Sequence, residues 1–259
     1  MNLSLIVSTS NRPEPLAKVL RGVALQTRWP DEILISDDAS EPATRALVEG
    51  WGREAKAPVR YVAHPHQGFR KTIILNETIK ASTGEYLVLL DGDCVPHRRF
   101  IADHLRLAER GYWVQGRRSF VEEAFVNEFE PGRTPVWRWL LMGRMSGAFK
   151  SLRWPVPIVR RDSEQRGIIG CNMGLWRDDI EAINGFDEAY LGWGAEDSDL
   201  GSRLYHLGRP RKFVYGRAVV YHLNHPSVPR DRAADNFARL AETLRLRRVR
   251  CEHGLARHL

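Results

Sequence analysis

Residues Gly84 to Pro96 read GEYLVLLDGDCVP. Four apolar residues, Leu87 to Leu90, run straight into Asp91-Gly92-Asp93. A short continuous apolar run bounded by a turn signal reads as a strand buried on both faces. The same pattern occurs upstream in LSLIVS (Leu3 to Ser8), EILISDD (Glu32 to Asp38) and VRYVAH (Val59 to His64). Between these runs, Pro13 to Leu25, Pro42 to Trp51 and Phe69 to Ala81 carry helical periodicity, the first with a proline in its opening turn. Buried strands alternating with helices predict an α/β fold with a mostly parallel sheet covered on both faces. Such sheets bind ligands beyond the carboxyl ends of their strands. Three polar clusters fall there: Ser8 to Arg12, Asp37-Asp38, and Asp91-Gly92-Asp93.

The later sequence has a different texture. A helix is expected over Arg98 to Arg110 and strands over Trp113 to Arg117 and Ala218 to Pro226 (AVVYHLNHP). Thr134 to Val159 combines Trp137, Trp139, Leu140, Leu141, Met142 and Trp154 with Arg138, Arg144, Lys150 and Arg153. That composition suits either a loop folding over a bound substrate or an interfacial segment meeting anionic lipid. Asp231 to Arg250 reads as a basic amphipathic helix. The expected organisation is therefore one domain over 1–226, with a nucleotide-binding half (1–95) and an acceptor-binding half (96–226), followed by a basic helical tail over 227–259.

The chain has 259 residues, 43% of them hydrophobic, enough for a sizeable core without covalent staples. Its three cysteines form no CxxC pair, which argues against a disulfide framework or zinc site and for a reducing compartment. The opening MNLSLIVSTSNRP lacks a secretory leader's basic and apolar regions, and no apolar run approaches membrane-spanning length. The expected location is cytoplasmic. The net charge of +7 suits phosphate-bearing ligands, nucleic acid or anionic lipid, or simply a solvated basic surface.

Asp-x-Asp at a strand end can reach a common hard cation, and Mg²⁺ and Mn²⁺ bridge carboxylates to substrate phosphates. Gly92 lets a phosphate approach the backbone. Asp37 is expected to cap a helix. Asp38 either does the same or accepts a hydrogen bond from a base N–H. GWGAEDSDL, Gly192 to Leu200, sets Trp193 between glycines and starts a helix with Glu196 and Asp197. Those carboxylates either complement the helix dipole or act as a general base beside an aromatic platform for sugars. His222 is either structural or a further metal ligand.

Together these segments resemble family-2 glycosyltransferases of the GT-A fold, a Rossmann-like, mostly parallel sheet with helices on both faces plus an acceptor-binding lobe. The resemblance runs from about Leu3 to Pro226. It is carried by LSLIVSTSNRPEPLAKVLRGVALQT, ISDDAS, GFRKTIILNETIKASTGEYLVLLDGDCVP and CNMGLWRDDIEAINGFDEAYLGWGAEDSDL. The last of these is similar to the acceptor-side segment of chondroitin-polymerase-like domains and β-1,4-galactosyltransferases. The resemblance implies that Thr9, Arg12 and Asp38 contact the nucleotide, with Asp38 reading uracil, and that Arg70 assists there or at the diphosphate. Asp91 would contact ribose or donor sugar, beside Gly92. Asp93 would bind Mn²⁺ or Mg²⁺ with His222, Trp193 and Glu196 would position sugars, and Asp197 would be the catalytic base. The family's Trp-Gly-Gly-Glu-Asp is Trp-Gly-Ala-Glu-Asp here, with Ala195 replacing a glycine. The implied activity is inverting, metal-dependent transfer of a hexose or N-acetylhexosamine from a UDP-sugar to a glycan or lipid-linked glycan. Peripheral contact with anionic membrane is compatible with it, and no nucleic-acid partner is expected. A sugar-phosphate nucleotidyltransferase and a non-catalytic sugar- or nucleic-acid-binding module are the competing readings. The first lacks a glycine-rich triphosphate loop, since Ser8 to Arg12 contains no glycine.

Overall fold

The computed structural model describes residues 1–65, 68–226 and 230–258. Twelve strands are found among them: β1 Leu3–Thr9, β2 Glu32–Asp37, β3 Val59–Ala63, β4 Tyr86–Asp91, β5 Cys94–Pro96, β6 Trp113–Gln115, β7 Arg118–Val121, β8 Met145–Ser146, β9 Ile158–Asp162, β10 Asn172–Trp176, β11 Arg211–Tyr215 and β12 Val220–Leu223. The helices are α1 Pro13–Ala24, α2 Pro42–Gly52, α3 Lys71–Ala81, α4 Phe100–Leu107, α5 Val136–Leu141, α6 Ala148–Ser151, α7 Arg177–Ala182, α8 Glu196–His206 and α9 Ala233–Leu246.

The main sheet is eight-stranded, in the order β3-β2-β1-β4-β10-β6-β11-β9. Its first four strands are parallel, as their apolar runs and intervening helices predict. Register aligns their carboxyl ends: Ser8 lies opposite Asp91, and Thr9 opposite Asp37. Successive side chains bury on opposite faces. Leu5 and Val7 join one core with Val19, while Ile6 joins the other with Leu75 and Ile79. Each such fully buried aliphatic side chain contributes about 1.5–3 kcal/mol.

Beyond β4 the pattern changes. β10 runs antiparallel to both β4 and β6. The expected strand Trp113 to Arg117 stops at Gln115, and the next residue, Gly116, is so closely packed that a Cβ there would lie 2.3 Å from Asn172 Nδ2 and 2.5 Å from the Ala218 carbonyl. The chain kinks there and resumes as β7 in a second sheet of order β5-β12-β7-β8. That sheet carries the expected Ala218 to Pro226 strand, shortened to Val220–Leu223. It pairs His222 with Cys94, directly after the Asp-x-Asp.

The helix expected over Asp231 to Arg250 runs Ala233–Leu246, and Arg247 takes a left-handed φ of 49° at its end. The following residues turn back: the Leu255 amide donates to Asn184 O, and Asn184 Nδ2 donates to Cys251 O. The body thus anchors much of the segment after residue 226. Residues 227–229 and 259 of the expected tail lie outside the described residues.

Candidate active site

Asp93 stands just past β4 with His222 and His225 from the end of β12. Each of the three offers one ligand atom, and those atoms lie within 4.8 Å of one another. His225 Nε2 is 3.1 Å from Asp93 Oδ2, and His222 Nε2 is 3.7 Å from Asp93 Oδ1. Burial alone would raise the Asp93 pKa, but the hydrogen bond from His225 and the charges of His222, His225 and Arg12 hold its carboxyl well below the usual range. Burial lowers His222, favouring the neutral imidazole that binds metal. One carboxylate and two imidazoles fit a divalent metal ion. His225 is absent from the sequence reading. The signal was a second histidine three residues after the first, in the same stretch.

A second group of side chains, reached through Asp91, is acidic and includes the cation Lys71. Lys71, Asp91, Gly170, Glu196 and Asp197 line a common small cavity. Lys71 Nζ donates to Asp91 Oδ1 at 2.9 Å, and Ser8 Oγ donates to the same oxygen at 2.8 Å. Burial would lower the Lys71 pKa, but Asp91, Glu196 and Asp197 push it above the ordinary lysine value. Burial first, and then the Asp197 charge, raise Glu196 to about 7; burial raises Asp197 as well. Asp197 is held at both oxygens: the Gly170 amide donates to Oδ2 at 2.9 Å and the Ser198 amide to Oδ1 at 2.6 Å. The Ser198 hydroxyl also donates to Oδ1 at 3.3 Å, so Oδ2 is the oxygen that keeps a lone pair for a further partner. Lys71 also escaped sequence reading, although it follows Arg70 directly.

The remaining expected residues lie around these two groups. Asp38 is buried, with Oδ1 3.0 Å from His64 Nε2 and Oδ2 accepting the Arg70 amide at 2.8 Å. Burial raises its pKa, against those two partners. Arg70 precedes α3 and meets Asp38 through its backbone. Asp37 accepts from the Ser40 hydroxyl and amide and from the Tyr61 hydroxyl, so it organises the turn after β2. Arg12, expected at the nucleotide, pairs with Asp93 at 3.2 Å. Thr9, at the end of β1, is buried beside Gly92. The space that Gly92 leaves is already used: a Cβ there would meet Ser8 O at 2.8 Å and Thr9 Cβ at 3.1 Å. Its missing side chain therefore serves strand packing.

The Trp193 loop is built from left-handed backbone at Gly192, Gly194 and Ala195, the last with φ 67°. The glycine that stands at position 195 in the family pattern would take this conformation freely, whereas alanine pays roughly 1–2 kcal/mol for it. Asn236 on α9 donates to Leu191 O and Trp193 O, and Arg230 lies 4.5 Å over the Trp193 ring.

Of Thr134 to Val159, Trp139 packs under Phe125 and Phe129. Arg153 grips Asp103 with both arms of its guanidinium, at 2.9 and 3.0 Å, so this end of the loop is anchored. Trp137, Leu141 and Val156 nonetheless remain 61, 80 and 76% exposed. Among the described residues no helix is long and apolar enough to cross a membrane.

A doubly covered sheet with a metal-competent cluster and a carboxylate wall at its carboxyl end defines a GT-A glycosyltransferase architecture. The chain belongs to glycosyl transferase family 2, whose model matches residues 4–179; a second model, the N-terminal domain of galactosyltransferase, matches residues 155–226. It is 35% identical over 239 residues to succinoglycan biosynthesis protein ExoM of Rhizobium meliloti, covering 90% of this chain and 69% of that one. It is 24% identical over 244 residues to the hyaluronan synthase of Pasteurella multocida, covering 87% of this chain but 25% of the synthase. Against validoxylamine A glucosyltransferase of Streptomyces hygroscopicus subsp. limoneus it is 27% identical over 230 residues, covering 80% of this chain and 49% of the relative. The chain thus spans a quarter to a half of those last two proteins. The crystal structure of S. aureus TarS 1-349 superposes with a TM-score of 0.70 at 14% identity, covering all of this chain and 68% of that one, which shows the fold. A mannosyltransferase from Pyrobaculum calidifontis, solved with GDP-Man and Mn²⁺, superposes at 0.62 and 19% identity, covering 94% of this chain and 64% of that one.

Proposed function

We propose that this protein is an inverting glycosyltransferase that moves a hexose or N-acetylhexosamine from a UDP-sugar to a glycan acceptor in polysaccharide synthesis. The observation that carries the reading is that a metal-competent cluster and an acidic cavity meet at Asp91-Gly92-Asp93, at the end of β4. Asp93, His222 and His225 would hold Mn²⁺. Lys71, Asp91, Glu196 and Asp197 line a small cavity, and Asp91 lies two residues before Asp93 at the end of β4. When bound, the ion neutralises charge developing on the nucleoside diphosphate leaving group. Asp38 and Thr9 border the nucleotide side, and Asp38 accepts from a base N–H through lone pairs left free by His64 and Arg70. Arg12 leaves Asp93 to meet phosphate oxygens. Trp193 offers an apolar face to a sugar ring, Glu196 binds its hydroxyls, and Asp197 takes the proton from the attacking hydroxyl. Attack from the face opposite the leaving group converts an α-linked donor into a β-linked product. The relatives' names, a hyaluronan synthase and a succinoglycan biosynthesis protein, support a polysaccharide product.

A panel of UDP-sugars with Mn²⁺ tests the donor. A cognate ligand at 100 times its dissociation constant stabilises the fold by about 2.7 kcal/mol, and turnover releases UDP rather than pyrophosphate. Asp93→Ala is expected to weaken Mn²⁺-supported UDP binding by more than the ~10–100-fold typical of losing a supporting partner of a metal ligand. His225→Ala should weaken it comparably to His222→Ala. Calorimetry showing unchanged binding in Asp93→Ala would remove the metal assignment.

The exposed Trp137, Leu141 and Val156, with basic Arg138 close by in sequence, support peripheral contact with an anionic membrane. Such contact would suit a lipid-linked acceptor on the cytoplasmic face. The protein should co-sediment with phosphatidylglycerol vesicles at low salt and lose that binding in Trp137→Ser/Leu141→Ser. Failure of the wild type to sediment ends this assignment.

A further inference from the structure

The cations nearest the proposed reaction centre, Arg12 and Lys71, are each matched to a carboxylate. Three others beside it are not. Arg118 opens β7 and Arg117 directly precedes it, and Lys150 lies on α6, which packs against that strand. A Cβ added at Gly147 would sit 3.5 Å from Lys150 Cδ and 3.8 Å from the Ser119 backbone, so the lysine stem runs along β7. None of the three has a carboxylate within ion-pair distance among the described residues. Instead Lys150 feels both guanidiniums, which add to burial in lowering its pKa.

The guanidiniums are packed against aromatic rings. Arg117 lies 4.7 Å over Phe213 and 5.4 Å over Tyr215, and Arg118 lies 5.2 Å over Phe120. Packing of this kind orients the fork and leaves its edge N–H groups for planar oxyanions. Arg117 Nε is buried with no hydrogen-bond partner, a cost that a bound acceptor atom would remove.

Both proposed groups are close to this cluster. Phe120 meets the His222 ring edge-on at 5.3 Å. Arg118 Nη1 donates to Cys171 Sγ at 3.7 Å, and Cys171 follows Gly170, whose amide holds Asp197. The cluster therefore borders the metal side and the base side together, on elements of the later half of the chain. Like charges kept together without counterions are costly unless an anion visits them.

We propose that Arg117, Arg118 and Lys150 form an oxyanion subsite for the acceptor, taking either a phosphate of a lipid-linked glycan or the carboxylate of an acidic sugar. This deepens the transferase reading and rests on it for the word acceptor. The test is calorimetric titration of the full chain in EDTA with inorganic pyrophosphate and, separately, with digalacturonate. Wild type, Lys150→Gln and Arg117→Gln are compared, and UDP with Mn²⁺ is titrated in parallel. At least one anion is expected to bind, and each substitution should weaken it about tenfold to a hundredfold, as loss of a charged hydrogen bond does, with UDP affinity unchanged. Preference for pyrophosphate assigns the lipid-linked source, and preference for digalacturonate the acidic sugar. The subsite is overturned if wild type binds neither anion, if the variants bind like wild type, or if they lose UDP affinity instead, which would give the cluster to the donor. If UDP with Mn²⁺ fails to bind the wild type, the transferase reading falls, and the anion titration still decides whether the oxyanion site exists.

Discussion

Asp197→Asn is expected to slow sugar transfer by about 10²–10⁴-fold, the usual contribution of a positioned proton acceptor, while Mn²⁺-supported UDP binding stays at the wild-type level. The substitution keeps the side chain's shape and one acceptor oxygen but removes the charge that draws the hydroxyl proton. The Gly170 and Ser198 amides, which donate to Asp197, would face an amide group in place of one oxygen, so some reorientation is expected. Donor affinity is insulated because β1, β2 and the Asp93 cluster come from other segments.

Glu196→Gln should mainly weaken the acceptor. The two carboxylates are adjacent, and burial plus mutual repulsion brings Glu196 to about 7, so they titrate as a pair. The base must be ionised to work, and burial raises Asp197, so the transfer rate should fall with pH well before an ordinary aspartate would take up its proton. Asp199, the next acidic residue, is no substitute. It is buried, bonded by Arg203 Nε at 2.7 Å and by the Thr243 hydroxyl at 2.8 Å. If Asp197→Asn transfers sugar at nearly the wild-type rate, Glu196 becomes the base.

The parallel half of the sheet was legible because each strand is a continuous apolar run and each connection a helix, so periodicity alone separates them. The strand ends were legible for the same reason, and with them the positions of Thr9, Asp38 and Asp91. β9, β10 and β11 were not recognised. NMGLW in β10 is short and follows two glycines, and its strand identity comes from pairing with β4 and β6 rather than from local pattern. The second sheet was hidden because β5 and β8 hold only a few residues and exist by pairing.

Within the site, carboxylates at strand ends announced themselves, but their partners did not. His225 reads locally as one more surface histidine, and only the return of β12 beside β5 brings it to Asp93. Arg12 was read for the nucleotide and Gly92 for phosphate; in the fold Arg12 also pairs with Asp93, and Gly92 packs against β1. Local sequence supplies a residue's chemistry; whether that chemistry is already engaged depends on contacts far along the chain.

Lys71 is the extreme case, and its removal carries the second large expected effect. Lys71→Met should reduce transfer by about 10²–10³-fold, the range seen when one preorganised charge or donor leaves a reaction centre. It should also move the acid limb of the rate profile to higher pH. Burial is the main influence raising Glu196, with Asp197 adding to it and Lys71 opposing both. Without the cation, the Glu196–Asp197 pair holds its proton to higher pH, and a smaller fraction is ionised at neutrality. Asp91 loses its 2.9 Å donor at the same time, retaining the Ser8 hydroxyl. Lys71→Arg separates the two consequences: it keeps the charge, so the limb should return toward the wild-type position, while the planar head disturbs the contact with Asp91 and leaves the maximal rate depressed. Rate profiles from pH 5 to 9 on the three proteins decide the matter. A limb that stays in place in Lys71→Met would mean that the lysine only packs against Asp91 and does not set the ionisation of the acidic wall.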